Sequence, residues 1–199
     1  MQPLPLSYYQ NDDVVFLAKD LLGKKLCTNI NGQFTSGIIT ETEAYCGRND
    51  KACHANNGKR TKRTEIMFQE GGKAYVYLCY GIHNLFNVTS NVNGLADAIL
   101  VRAIQPVDGI EIMLERRNKS KLDKTLSSGP GTLSQALGID RNFYGLDLTG
   151  HDIWIENSTT KIAHSEIVES TRIGVDYAGE DALRPWRFYI KNSIWVSKL

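Results

Sequence analysis

A chain of 199 residues, 42% hydrophobic and 23% charged, has the size and composition of one globular domain with a sizeable core. Its 23 Lys and Arg against 22 Asp and Glu give a formal net charge of +1, so overall charge selects no partner and its distribution has to be read instead. No apolar run approaches the ~18 residues of a membrane span, and Met1-Gln-Pro-Leu-Pro-Leu-Ser-Tyr-Tyr9 lacks a basic-then-apolar leader pattern, so no membrane partner and a cytoplasmic location (nucleoid-associated if bacterial) are expected.

In chain order, Asn11 or Asp12 is expected to cap a helix running to Leu22, with Val14, Leu17, Ala18 and Leu21 on one face and Gly23 as its terminator. Lys25 to Ile30 and Gln33 to Tyr45 read as two strands around an Asn31-Gly32 turn. Gly47 to Gln69 is polar, basic and irregular, which predicts a long surface loop. Gly72-Lys-Ala-Tyr75-Val-Tyr77-Leu-Cys79-Tyr80-Gly81 then alternates like a strand and ends in a Tyr-Gly turn. Period two puts Tyr75, Tyr77 and Cys79 on one face, with Tyr80 at the tip. Asn84 to Ser90 completes a hairpin whose apex aromatic can wedge between bases or, in the plainer reading, simply tops a half-buried strand.

After Asn93-Gly94, Ala98 to Ile104 reads as a buried strand, and Asp108 as the cap of a helix through Arg117. Ser128-Gly-Pro-Gly131 feeds a short helix from Thr132 to Leu137. Strands are expected at Ile153–Glu156, Ile167–Val175 and Arg187–Ile190, with Trp186, Phe188 and Trp195 in the core. Strands dominate without strict βα alternation. The predicted fold is α+β: a single domain over residues 1–199, with a curved, mostly antiparallel sheet, surrounding helices and a protruding hairpin.

Two groups of charges sit where a strand should be apolar. Glu41 and Glu43 lie on one face of their strand, about 7 Å apart. They either meet water or present a carboxylate in a cleft as a general base. Arg102, inside Ile-Leu-Val-Arg-Ala-Ile, needs a partner if buried, and Glu43 on a neighbouring strand is a plausible one. Asn87 faces inward, where a buried amide needs partners or a ligand. The basic clusters Lys59/Arg60/Lys62/Arg63, Arg116/Arg117/Lys119/Lys121/Lys124 and Arg184/Arg187/Lys191/Lys198 suit phosphate contacts or plain solvated surface. Cys27, Cys46, Cys53 and Cys79 form no C-x-x-C, and Cys46, Cys53 and His54 match no common zinc spacing; neither metal nor cofactor is expected.

The ordered set Glu41-Thr-Glu43-Ala-Tyr45, His54, Tyr75-Val-Tyr77-x-x-Tyr80-Gly81, Asn87, Arg102-Ala, Ser128-Gly-Pro, Arg172-Ile-Gly-Val-x-x-Ala178-Gly-Glu180 and Arg184-Pro-x-Arg187-Phe-Tyr189 resembles the alkyladenine (3-methyladenine) DNA glycosylase family over essentially the whole chain. The resemblance implies a monofunctional enzyme. It would act as a monomer on double-stranded DNA carrying a damaged purine such as 3-methyladenine, 7-methylguanine, hypoxanthine or ethenoadenine. It would flip the nucleotide and hydrolyse the N-glycosidic bond without lyase activity.

By the same resemblance Tyr80 is the intercalating wedge, and the flipped base lies between Tyr45 and the pair His54 and Tyr77. Asn87 forms the pocket floor and obstructs the guanine 2-amino group. Glu43 activates water, helped by Arg102 and the Ile173 carbonyl, and Tyr75 braces His54. Two positions depart from the pattern: His83, where relatives carry an aromatic, and Thr132, where some carry a lysine. Two rivals stay open. One is a metal-dependent nuclease built on Glu41 and Glu43. The other is a noncatalytic nucleic-acid-binding sheet that stacks bases on Tyr75 and Tyr77.

Overall fold

In the computed structural model, residues 2–198 are described. Eight strands form one antiparallel sheet: β1 (Lys25–Ile30), β2 (Gln33–Cys46), β3 (Ala74–Cys79), β4 (His83–Ser90), β5 (Asp97–Asp108), β6 (Ile153–Glu156), β7 (Ile167–Ser170) and β8 (Arg187–Ile190). The order is β3-β4-β5-β2-β1-β6. Long β2 pairs with β5 along one edge; along the other it pairs with β1 first and then, at Glu41–Glu43, with β8, which carries β7. Four helices accompany the sheet: α1 (Leu6–Tyr9), α2 (Val14–Asp20), α3 (Ile110–Arg116) and α4 (Pro130–Leu137). The α+β class and the antiparallel sheet match the sequence expectation.

Some boundaries differ, for local reasons. Asp13, not Asn11 or Asp12, caps α2, its carboxylate accepting from the Phe16 N–H at 2.9 Å. Asp108 ends β5 and leaves the capping position of α3 to Gly109, because its carboxylate is taken by Ser36 and Lys25. The expected strand Ile167–Val175 stops at Ser170; two residues on, Arg172 turns inward to a buried ion pair with Asp50. Helix α1 gave no sequence signal beyond a Pro before a four-residue turn.

The sheet has two unlike faces. Ala74, Val76, Phe86, Val88, Ile99, Val101 and Ala44 pack with Leu17 and Ala18 of α2 and Leu133, Ala136 and Leu137 of α4 into the main core. Phe86 and Val88 are fully buried there, and burial of each such side chain stabilises by about 1.5–3 kcal/mol. The other face carries Tyr45, Tyr75, Tyr77 and Ala98 against Cys53, Ala55, Ile66, Met67 and Phe68 from the 47–69 loop. That loop is therefore a cover with its own apolar cluster.

A paired irregularity links the faces. Ile39 pairs with Ile104 and Glu41 with Ala103, so Thr40 has no opposite; Thr42 then pairs with Val101, which leaves Arg102 unmatched. Such bulges re-aim side chains. Ile39 and Ile104 join the main core, whereas Glu41 and Arg102, two positions along in each strand, point to the second face. Strict alternation would have kept Ile39 with Glu41 and Arg102 with Ile104.

Candidate active site

A cavity of about 520 Å³ opens on the second face, walled by Tyr45, His54, Tyr75, Tyr77, Asn87 and Arg102, with Tyr80 and Ile173 also contributing. That volume suits a small flat ligand. Every residue singled out from the sequence for the site lines the cavity except Glu43, which lies behind it and is wholly buried.

Glu43 is held from three sides. Tyr45 donates its hydroxyl to Oε2 at 2.7 Å, the Ile173 N–H donates to Oε1 at 2.8 Å, and Arg102 Nη1 lies 3.2 Å from Oε2. The Arg102 partnership is shared, because its Nε also donates to Glu41 at 3.1 Å. Glu41 does not face water: it is fully buried and accepts further from Arg187 at 2.9 Å and from the Ser197 N–H at 2.6 Å and hydroxyl at 2.9 Å. Buried charges need such pairing. Glu41 is thus spent on structure, while Glu43 lies beside the cavity. The expectation for Ile173 concerned its carbonyl; its N–H is the group that meets Glu43.

The aromatic walls are also fixed. His54 Nδ1 and the Tyr75 hydroxyl are 2.8 Å apart, and the His54 ring meets Tyr77 edge-on with centroids 4.8 Å apart. Burial, with Arg63 and Lys59 adding repulsion, lowers the His54 pKa from 6.5 to about 4, so the imidazole is neutral at neutral pH. Burial also holds the Tyr45, Tyr75 and Tyr77 phenols well above their usual range. The cavity wall therefore offers neutral, electron-rich rings. Asn87 donates from Nδ2 to the Tyr75 carbonyl at 3.0 Å and the Leu85 carbonyl at 3.3 Å, which pins its amide across the β3–β4 pair.

Beside the cavity, Cys79 accepts from the Ile82 N–H at 3.1 Å to close the hairpin. Tyr80 and Gly81 both have positive φ, 50° and 75°, the pattern of a hairpin turn of type I′. Glycine adopts this at no cost, and a tyrosine there is uncommon. The strain accompanies a ring that is 89% exposed, next to Ile82 at 72%. His83 lies against α4, where any side chain at Gly131 would meet its ring at 2.9 Å. Thr132 donates to the Gly129 carbonyl within the first turn of α4.

Several assignments shift. Arg116 and Arg117 spend their guanidiniums on neighbouring carbonyls and amides around α4, and Arg187 is buried with Glu41. The 59–63 loop brings Arg63 to the cavity, over the Tyr77 ring. Arg63, marked in the sequence only within a basic cluster, Cys53, marked only as a rejected zinc candidate, and Tyr177, which nothing marked, also line the cavity. Among the described residues no group of three or more His, Cys, Asp or Glu is arranged to hold a metal. Both rivals lose ground: Glu41 is fully engaged by arginines and Ser197, and Tyr75 is buried and tied to His54.

The family model for methylpurine-DNA glycosylases matches residues 7–194. The chain belongs to the methylpurine-DNA glycosylase family. It is 48% identical over 188 residues to a protein of Chlamydia felis, covering 94% of this chain and 95% of that one. It is 45% identical over 199 residues to one of Methanocella arvoryzae, covering 100% and 97%, and 47% identical over 195 residues to one of Carboxydothermus hydrogenoformans, covering 98% of each. The names of all three assign them as 3-methyladenine DNA glycosylases. As a glycosylase of this family the chain is a hydrolase of N-glycosyl bonds that acts on DNA. No helix among the described residues is long and apolar enough to cross a membrane.

Proposed function

We propose that the protein removes alkylated or deaminated purines, 3-methyladenine, 7-methylguanine, hypoxanthine and ethenoadenine among them, from duplex DNA. Glu43 takes a proton from a water that attacks the sugar C1′. The C1′–N bond breaks, its electron pair leaves with the base, and an abasic sugar bearing a hydroxyl remains. The observation that carries this reading is Glu43 itself: a fully buried carboxylate, oriented by Tyr45, Ile173 and Arg102, behind the wall of an aromatic cavity.

Methylation at N3 or N7 makes the purine cationic and weakens its glycosidic bond. The electron-rich rings of Tyr45, Tyr77 and neutral His54 would then favour the cation. Hypoxanthine needs a proton on its leaving nitrogen, so its excision is the slower reaction. Tyr80 inserts where the nucleotide left, which its exposure at the apex suits. Asn87, held by two carbonyls, stands against the 2-amino group of normal guanine. Arg63 is positioned for a phosphate flanking the cavity. This reading calls on groups of one chain, as a monomer, and on neither metal nor cofactor.

The test is release of free methylated purine from alkylated duplex DNA in chelator, leaving an intact abasic strand. Activity that vanishes in chelator and returns with magnesium would favour the nuclease reading.

A further inference from the structure

Asp50 and Arg172 form another buried ion pair on the site face, separate from the Glu41, Glu43, Arg102 and Arg187 group. Both side chains are fully buried. The contact is bidentate, with Nη1 to Oδ2 at 2.5 Å and Nη2 to Oδ1 at 2.8 Å. Arg172 Nη1 donates also to the Ala44 carbonyl at 2.9 Å, and Nη2 to the Asp181 carbonyl at 2.9 Å. Its guanidinium carbon lies 4.8 Å from the centroid of the Tyr45 ring and 5.3 Å from that of Trp186. Asp50 Oδ1 and Oδ2 accept in addition from the Ala52 and Cys46 N–H groups. Arg172 is absent from the cavity wall, so it reaches a bound base only through other groups.

Those other groups are the ones that hold Glu43. Its two oxygens accept from the Tyr45 hydroxyl and the Ile173 N–H. Tyr45 is the ring under Arg172, and Ile173 is the next residue along the chain. The carbonyl that Arg172 grips belongs to Ala44, the residue between Glu43 and Tyr45. One guanidinium thus fixes β2 at the catalytic position, the tyrosine that bonds one carboxylate oxygen and the backbone that bonds the other.

We infer that Arg172 and Asp50 are positioning residues for Glu43: the pair sets the orientation of its carboxylate toward the attacked sugar carbon and contributes nothing to holding DNA. This rests on the reading of Glu43 as the general base. A guanidinium fork suits the task, because its planar donors reach Asp50, Ala44 and Asp181 at once. An ammonium keeps the charge and loses the fork. Misplacement of a catalytic group by about 1 Å can cost on the order of 10²-fold in rate.

The experiment is a double-mutant cycle on single-turnover excision of 7-methylguanine, a leaving group labile enough for residual rates to be read, with affinity for a duplex bearing an abasic-site analogue measured in parallel. Arg172→Lys should lower the single-turnover rate of the otherwise unaltered enzyme on the order of 10²-fold. Affinity for the duplex should stay within about twofold. In a Glu43→Gln background the same substitution should cost almost nothing, since the group it positions is gone. Asp50→Asn should show the same signature, and it carries the test if Arg172→Lys does not fold. An equal loss of rate in both backgrounds, an unchanged rate in the single variants, or failure of both variants to fold would overturn the inference, leaving the pair a support for the fold alone. Full activity of Glu43→Gln by itself would instead remove the general-base reading, an outcome visible before the cycle is closed.

Discussion

The same strands build two surfaces that obey different rules. On one, Val76, Phe86, Val88, Ile99 and Val101 meet helices α2 and α4 through apolar contact alone. On the other, their immediate neighbours Tyr75, Tyr77, Asn87, Leu100 and Arg102 surround a cavity; Tyr75, Asn87 and Arg102 have hydrogen-bond or ion-pair partners, and Tyr77 packs edge-on against His54. The first surface holds the sheet together by burial, which is non-directional and tolerant of volume-conserving exchange. The second holds groups in fixed orientations by hydrogen bonds, which tolerate little. The difference means that substitutions one residue apart along a strand should fall into separate classes, one read by melting and the other by excision.

The largest effect on the first class is expected from Phe86→Ala. Removal of a fully buried ring should cost about 3–5 kcal/mol of stability, while the molecules that stay folded excise at close to the normal rate. Chemical denaturation beside single-turnover assays below the melting transition would check it. A rate loss larger than the loss of folded protein would blur the division between the faces.

Acid should reveal the second surface through stability. His54 has a pKa of about 4 in the fold against 6.5 when unfolded, so the unfolded chain takes up its proton first. Its neutral-state stability is complete above pH 6.5 and is lost as pH falls toward about 4, by at most about 3 kcal/mol. His54→Gln, which cannot titrate, should show a shallower loss of melting temperature across that window. Parallel curves would mean that the imidazole is not held neutral by the fold.

Tyr80→Ala should leave melting unchanged, because the ring is exposed and its backbone is strained. Its preference for lesion-bearing over undamaged duplex should drop by about 1–3 kcal/mol, the usual worth of a ring stacked on a base. The salt dependence of binding should persist, since phosphate contacts remain. A lower melting temperature with the preference intact would assign the ring to packing.

The smallest effect is expected at Asn87. Asn87→Ser should raise excision of normal guanine relative to hypoxanthine several-fold, which competition between the two duplexes would measure. An unchanged ratio would make the two carbonyl bonds of Asn87 its whole role.

Much of this was legible in the sequence, and the exceptions share causes. Alternation located β3, and the Tyr80-Gly81 pair located its turn, because both signals are local. Alternation left Glu41 open between water and a cleft, because nothing local announces Arg187 and Ser197, which arrive from the far end of the chain. The bulges at Thr40 and Arg102 were invisible for the same reason: register is a property of two strands. The Glu43–Arg102 contact was inferred from charge in an apolar strand, yet its sharing with Glu41 was not. Arg172 lay inside a recognised motif, but its bond to Asp50 joins segments 122 positions apart. The boundary error at Asp13 came from rival acceptors a residue or two away, and that at Gly109 from Ser36 and Lys25, distant donors that take the Asp108 carboxylate.

The division between structural and catalytic groups turns on two glutamates of one strand, alike in burial and in contact with Arg102. Single-turnover release of 7-methylguanine from duplex DNA by Glu41→Gln and Glu43→Gln, each with its melting curve, tests it most directly. Glu43→Gln should lose about 10²–10⁴-fold in rate, the usual worth of a positioned general base, with damaged-DNA affinity retained. Glu41→Gln should lower the melting temperature more, by leaving Arg187 and Arg102 short of a buried partner, and should cost less in rate. A dead Glu41→Gln beside an active Glu43→Gln, at equal folded fraction, would contradict the assignment of the base.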